Sequence, residues 1–378
     1  MRALYEWTPG SSSVRTVLRT EDRIADCQVR ERTAFCLQEG ATQPRRLVAV
    51  DLDRGVIRIV ADPNPAFRSK AFPKIETILL ADREGNPAYA RIVYPYDYRP
   101  HGRYPLVITQ YRSSGFLNGG LGDEYPIFPL AAEGYFVMDF DRPERTRLGR
   151  TADWEEMGRA YSMSGRALVL SALENGIDHL IGAGLIDETR IAITGLSGGA
   201  ESVHYALQHS DRFAVGIASE AAHDITSFAL VPRGATRDRL MRTFDMDGVV
   251  PSPGNPLLDI AWSQMPDKLT TPLLINVGQH EAFFGFEGIE TLIQRQRPVE
   301  VRVFPDEFHI KYAPQTYAGI FENNLMWLRF WLKEEENADP AYAPQYARWR
   351  KMRAAKGVMG PDHGLVQPDV SKAPSSDR

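Results

Sequence analysis

The stretch "RIAITGLSGGAESVHYAL" (190–207) holds a strand, a sharp turn and a helix within eighteen residues. Ile191, Ala192 and Ile193 open it as a buried strand, and the chain then breaks at Gly195-Leu196-Ser197-Gly198-Gly199. Helix-forming residues follow from Ala200. The small residues let the backbone turn tightly enough to lift the Ser197 hydroxyl to the N-terminus of the next helix. A G-x-S-x-G pattern alone recurs by chance. The strand before it and the helix after it are what give it meaning here. The plainer reading is a small-residue turn that only packs a helix on a strand.

Outward from this point, other buried strands alternate with helical segments. "PLVITQY" (105–111), "YFVMDF" (135–140), "AVGIASE" (214–220), "PLLINVG" (272–278) and "VEVRVFP" (299–305) read as strands. Amphipathic stretches at 164–181, 199–209, 285–296 and 315–334 read as helices. Val-, Ile- and Leu-rich runs alternating with helices predict an α/β fold, a doubly wound and mainly parallel sheet covered on both faces. Residues 226–268 break the alternation and read as an insertion over one end of the sheet. Residues 1–62 differ: "RIADCQV", "TAFCLQE", "RRLVAVDL" and "VIRIVAD" are short strands spaced for antiparallel hairpins. The expected division is 1–72 for this strand-rich part, 73–336 for the α/β domain and 337–378 for a loosely held polar tail.

Composition narrows the classes. The chain has 378 residues, 25% of them charged, and a net charge of −5, which argues against a nucleic-acid partner. No apolar run is long enough to span a membrane. "MRALYEWTPGSSS" has no apolar core of a leader peptide, so a cytoplasmic location is expected, with the periplasm as the alternative if the natural start lies upstream. The two cysteines, Cys27 and Cys36, exclude a disulfide-dense scaffold and a thiolate zinc site. They are expected as two small buried thiols, with a cross-strand disulfide as the alternative.

A serine hydroxyl is a poor nucleophile until a base takes its proton, and the base needs a carboxylate to fix its tautomer. In α/β-hydrolases the chain order is Ser, acid, His. Of the eight histidines, His309 follows the last predicted strand, in "VFPDEFHIKYAP"; His223, after another strand, is the rival. The acid is expected after the strand before it, where "PLLINVGQHEAFFG" (272–285) places Glu281 just past a buried run. Asp306 and Glu307 compete by proximity but share a turn with His309 and are expected to cap it. One oxyanion donor is the N–H of Gly198, next to the nucleophile. Tyr111, ending "PLVITQY", offers a second, and the residues alone leave that role and simple packing equally open. No cofactor or metal is indicated: "GFLNGGLGDE" (115–124) lacks a phosphate loop's Lys-Ser/Thr and reads as a mobile loop, and His204 and His209 are wrongly spaced for one metal.

"QYRSSGFLNGGLGDEYPI", "GLSGGAES" and "RPVEVRVFPDEFHIKY" resemble the lasso-peptide isopeptidase branch of the prolyl oligopeptidase family, over about residues 12–334. That family pairs a β-propeller with an α/β-hydrolase domain. The resemblance implies a triad of Ser197, Glu281 and His309, with Tyr111 as the oxyanion tyrosine. It also implies a peptide substrate whose ring-closing side-chain amide is hydrolysed through an acyl-enzyme.

Residues 1–62 then correspond to about one and a half propeller blades, whereas closed propellers take about 4–8. Two other readings stay open: a general oligopeptidase or esterase, and a catalytically weak remnant. Self-association through the N-terminal strands is expected as well.

Overall fold

The computed structural model describes residues 2–143 apart from 112, 120, 121 and 123, residues 164–220 and 260–358, and scattered positions from 224 to 258. β1 (Arg2–Trp7) and β2 (Val14–Thr20) pair antiparallel. β3 (Arg23–Arg30), β4 (Thr33–Gly40), β5 (Gln43–Asp51) and β6 (Ile57–Ala61) form a four-stranded antiparallel meander in chain order. Along β4 every second residue is buried, as a strand with one covered face requires. Ala34, Cys36, Val48, Val50 and Leu52 make its small core. Four strands in series have the form of one blade, and β1–β2 of half of another.

The expectation of free thiols is corrected: Cys27 and Cys36 form a disulfide, with Cα atoms 4.1 Å apart. The reason lies in the ladder. Ala25 pairs with Leu37 and Gln28 with Phe35, so Asp26 and Cys27 together face Cys36. Asp26 takes a positive φ of 50° in this bulge. The extra residue turns Cys27 toward the face that carries Cys36.

The second body is an eight-stranded sheet. Its strands are β7 (Ile75–Ala81), β8 (Pro87–Val93), β9 (Tyr104–Tyr111), β10 (Phe136–Asp141), β11 (Ile186–Leu196), β12 (Val215–Ser219), β15 (Leu273–Gly278) and β16 (Val299–Phe304). They lie in the order β16-β15-β12-β11-β9-β10-β8-β7. All neighbours from β10 to β16 are parallel; β8 and β7 are an antiparallel edge absent from the expected strands. Between β12 and β15, β13 (Met246–Asp247) and β14 (Val250–Pro251) pair, within the expected insertion.

Alternation along each strand sends side chains to two cores. Leu106, Ile108, Ile191, Ile193, Leu273 and Ile275 face one core, under α2 (Ser164–Gly182), α3 (Gly198–His209) and α4 (Phe286–Gln294). Val107, Ala192, Val215, Ile217 and Leu274 face the other. That side is covered by α1 (Ile127–Ala132), α5 (Pro314–Lys333) and α6 (Ala343–Val358). Helix α6 corrects the expected loose tail. Its Tyr346 and Trp349 are buried, and the Trp349 ring meets that of Trp327 edge-on at 4.9 Å. Residues 359–378 lie outside the described residues.

The chain runs from β9 to β10 on one side and then returns past β9 to β11. Such a reversal opens a crevice at the carboxyl ends of the strands, where ligands bind in open α/β sheets.

Candidate active site

Five strands, β9, β11, β12, β15 and β16, end at that crevice. At the end of β11, a Cβ on Gly195 would lie 2.4 Å from the carbonyl carbon of Gly199, so only glycine lets helix α3 begin so close to the strand. Ser197 then takes φ 58° and ψ −128°. For a residue other than glycine this conformation costs on the order of 1–3 kcal/mol and persists only where its surroundings hold it. Here they do. Tyr125 donates its hydroxyl to the Gly195 carbonyl at 2.8 Å, and Gln110 Nε2 donates to the Gly199 carbonyl at 3.3 Å. Gly198 is the first residue of α3, so its N–H has no acceptor within the helix.

Beyond β15 the chain must pass directly under the loop that follows β16. A Cβ on Gly278 would meet the carbonyl oxygens of Phe308 and Glu307 at 2.5 and 2.6 Å. With glycine there, the loops bond to each other: Gln279 N–H to Phe304 O at 2.9 Å, and His280 N–H to Glu307 O at 3.3 Å. This contact sets Glu281 beside His309, with Nδ1 2.9 Å from Oε2. Glu281 is mostly buried, and its Oε1 has no hydrogen-bond partner among the described residues. The hydrogen bond to Glu281 raises the His309 pKa above its usual 6.5; burial opposes it and the charge of Glu220 adds to it. The rival carboxylates sit otherwise. Glu307 accepts the N–H groups of Tyr312 and Ala313 at 2.9 and 3.1 Å, at the start of α5. Asp306 lies on a turn with φ 57°, its N–H held by Gln279.

Glu220 escaped the sequence reading. It follows β12 directly, and its carboxylate, that of Glu281 and the His309 ring each have a ligand atom within 4.8 Å of the others. Three such groups so close could together hold a cation, although Nδ1 of His309 is already engaged by Glu281. Trp262 Nε1 donates to His204 Nδ1 at 2.9 Å, so His204 is a neutral tautomer whose Nε2–H points to the Glu220 carbonyl at 3.2 Å. The signal for Glu220 was available: a carboxylate at the end of a fully buried strand, as for Glu281.

Tyr111 ends β9, opposite Asp141 in the ladder; its side chain lies outside the described residues, as does the rival His223. The backbone around it is anchored. Buried Asp139 accepts from Thr109 Oγ1 at 2.9 Å and from Ser113 Oγ, and burial raises its pKa to about 6. Tyr89 and Arg91 bond the carbonyls of Ser113 and Gly115. The loop expected to be mobile is likewise fixed where it is described. Leu117 is buried and donates its N–H to Ala41 O of the N-terminal blade at 3.0 Å.

A doubly wound sheet with a serine on a strained elbow, and a carboxylate–histidine pair two loops away, defines an α/β-hydrolase. The chain belongs to the prolyl oligopeptidase family, whose model matches residues 127–335. It is 34% identical to the lasso peptide isopeptidase AtxE2 of Asticcacaulis excentricus over 94% of this chain and 51% of that one. The apo structure of AtxE2 superposes with a TM-score of 0.85, covering 93% of this chain and 54% of that one. An acylaminoacyl peptidase of Pyrococcus horikoshii shares the fold, with a TM-score of 0.68 at 18% identity over 89% of this chain and 53% of that one. The chain thus spans about half the length of the curated relatives it matches.

Proposed function

We propose that this chain carries the catalytic domain of a serine isopeptidase that opens the side-chain amide closing a lasso peptide's ring. The observation that carries the reading is the Glu281–His309 hydrogen bond at the same sheet edge as the strained Ser197. With Glu281 on Nδ1, the His309 Nε2 is left free to take a proton from Ser197.

Ser197 Oγ attacks the carbonyl carbon of the ring's Asp or Glu side chain while its proton passes to His309. The oxyanion accepts from the N–H of Gly198 and the hydroxyl of Tyr111. Collapse breaks the C–N bond, and His309 returns the proton to the departing N-terminal amine. An ester to Ser197 remains. Water, deprotonated by His309, attacks that ester; His309 returns the proton to the departing Ser197 oxygen, and a linear peptide with a free side-chain carboxylate is released. Mass spectrometry of a threaded lasso incubated with the protein tests this: ring opening adds one water and leaves every backbone bond intact. Backbone cleavage instead would mark a general peptidase.

Tyr111→Phe is expected to lower kcat by about 10²–10³-fold with a smaller change in KM, since the donor is used mainly in the transition state. A loss confined to KM would make Tyr111 a binding residue.

One observation bears on how these 378 residues behave when tested by themselves. The N-terminal strands leave Tyr5, Trp7, Val14, Ile59 and Val60 exposed. Tested apart from any further blades, β1 to β6 offer little surface to hold a threaded ring against Ser197, and contacts remote from the scissile bond normally offset the cost of orienting it. Small activated esters, which need little positioning, are expected to turn over readily while intact lassos open slowly. The exposed strands are expected to self-associate in sedimentation runs. Efficient lasso opening by a monomer would refute this. The Cys27–Cys36 disulfide favours an oxidising compartment over the cytoplasm.

A further inference from the structure

Lys311 stands two residues after His309 and is wholly buried, as is Glu124, which lies in the glycine-rich segment that the triad leaves unused. The Lys311 ammonium sits 3.1 Å from Glu124 Oε1, as an ion contact rather than a well-angled hydrogen bond. It also donates to Ser219 Oγ at 2.5 Å and reaches the carbonyl of His309 itself at 3.5 Å. One ammonium therefore joins the glycine-rich segment, the end of β12 and the histidine's own backbone. Two of its donors make hydrogen bonds, and the ion contact to Glu124 is its third interaction.

The next residue extends the connection. Tyr125 is 1% exposed, and its hydroxyl holds the carbonyl of Gly195, the first glycine of the elbow. The backbone between them is fixed as well: Asn324 Nδ2 of α5 donates to the Glu124 carbonyl at 3.3 Å, and Asn276 of β15 donates to Asn324 at 2.9 Å. Adjacent residues thus hold two separate parts of the proposed triad, Glu124 the histidine loop and Tyr125 the serine's elbow. Those two loops leave β16 and β11, which are separated in the sheet by β15 and β12.

A buried ion pair is a poor source of stability, because desolvating two charges offsets most of their attraction, and well-packed apolar residues often do as well. What it does supply is a geometry with few alternatives. We infer that Glu124, Tyr125 and Lys311 are positioning residues that set the separation of Ser197 and His309, acting through the backbones of the elbow and the histidine loop. This rests on the triad reading above. A misplacement of about 1 Å in a reacting group costs on the order of 10²-fold in rate.

The test uses the full chain and compares Glu124→Gln/Lys311→Met, Tyr125→Phe and Ser197→Ala. Removing both charges together avoids a stranded buried ion, and Tyr125→Phe removes one hydroxyl. Each is assayed for thermal unfolding, kcat and KM on an activated ester across pH, and labelling rate with a fluorophosphonate. The double variant is expected to fold with a midpoint near the parent's, to lose about 10–100-fold in kcat and labelling rate, and to keep its KM within about twofold. Tyr125→Phe is expected to lose about 3–10-fold in kcat. A folded double variant with the parent's kcat overturns the inference, as does a loss confined to KM. Should the double variant fail to fold, Tyr125→Phe decides, and an unchanged kcat there overturns it. Labelling that persists in Ser197→Ala would instead sink the nucleophile assignment, a separate failure.

Discussion

Ser197→Ala and His309→Ala are each expected to remove about 10⁴-fold or more of kcat, and the double variant to be little worse than either alone. In the proposed mechanism the two groups perform one step. Without the base, Ser197 is a neutral alcohol; without the serine, His309 has no proton to take. The second deletion therefore has nothing left to remove. The protein itself should be unaffected, because the Ser197 side chain makes no capping hydrogen bond and its truncation orphans no partner among the described residues. The backbone strain at φ 58° stays with alanine, so no gain in stability is expected either. Losses that multiply in the double variant would show that the two side chains act independently and that they are not a nucleophile and its base.

Much of this architecture could be read from the chain because the central strands are covered on both faces. All of β12 and β15 is buried, and such segments must be continuous apolar runs. The edge hid better. β7 leaves Leu79 87% exposed, and β8 carries Pro87 and a buried Arg91 whose partner, the Gly115 carbonyl, is invisible to periodicity. Helix α6 reads as a polar tail because two aromatic residues, Tyr346 and Trp349, make most of its deep contact. The disulfide depended on a bulge, and a hairpin's spacing does not encode a bulge. Glu124 sat among glycines that suggested mobility; the lysine that fixes it is remote in sequence. Apart from the bulge, the missing term is in each case a contact between distant segments. Where burial was local and two-sided, the sequence sufficed.

Glu281→Gln is expected to cost on the order of 10³–10⁴-fold in kcat with the fold retained. The carboxylate does two things that an amide does not. It stabilises the imidazolium that forms when His309 takes the serine proton, and as a pure acceptor it keeps a proton on Nδ1. An amide that turned its NH₂ toward Nδ1 would put the ring's proton on Nε2, the atom that has to accept. The pH profile supplies an independent check. His309 works as a base only when neutral, and its pKa lies above 6.5 chiefly because of Glu281, so the acidic limb of kcat/KM should fall above 6.5 in the parent. Removing the Glu281 charge lets burial pull the ring's pKa down, with only Glu220 still raising it, so the limb moves to lower pH as the plateau collapses. Stability follows the same linkage. The pair's contribution is full below 6.5 and fades as pH rises through the folded-state pKa, so parent and variant should converge in thermal midpoint on the alkaline side. Glu220, within reach of both groups, is the natural source of any residual activity, and Glu220→Gln added to Glu281→Gln should lower it further. If Asp306→Asn proves far more damaging than Glu281→Gln, the acid has been misassigned, and the 2.9 Å bond to His309 would be a structural contact beside the true one.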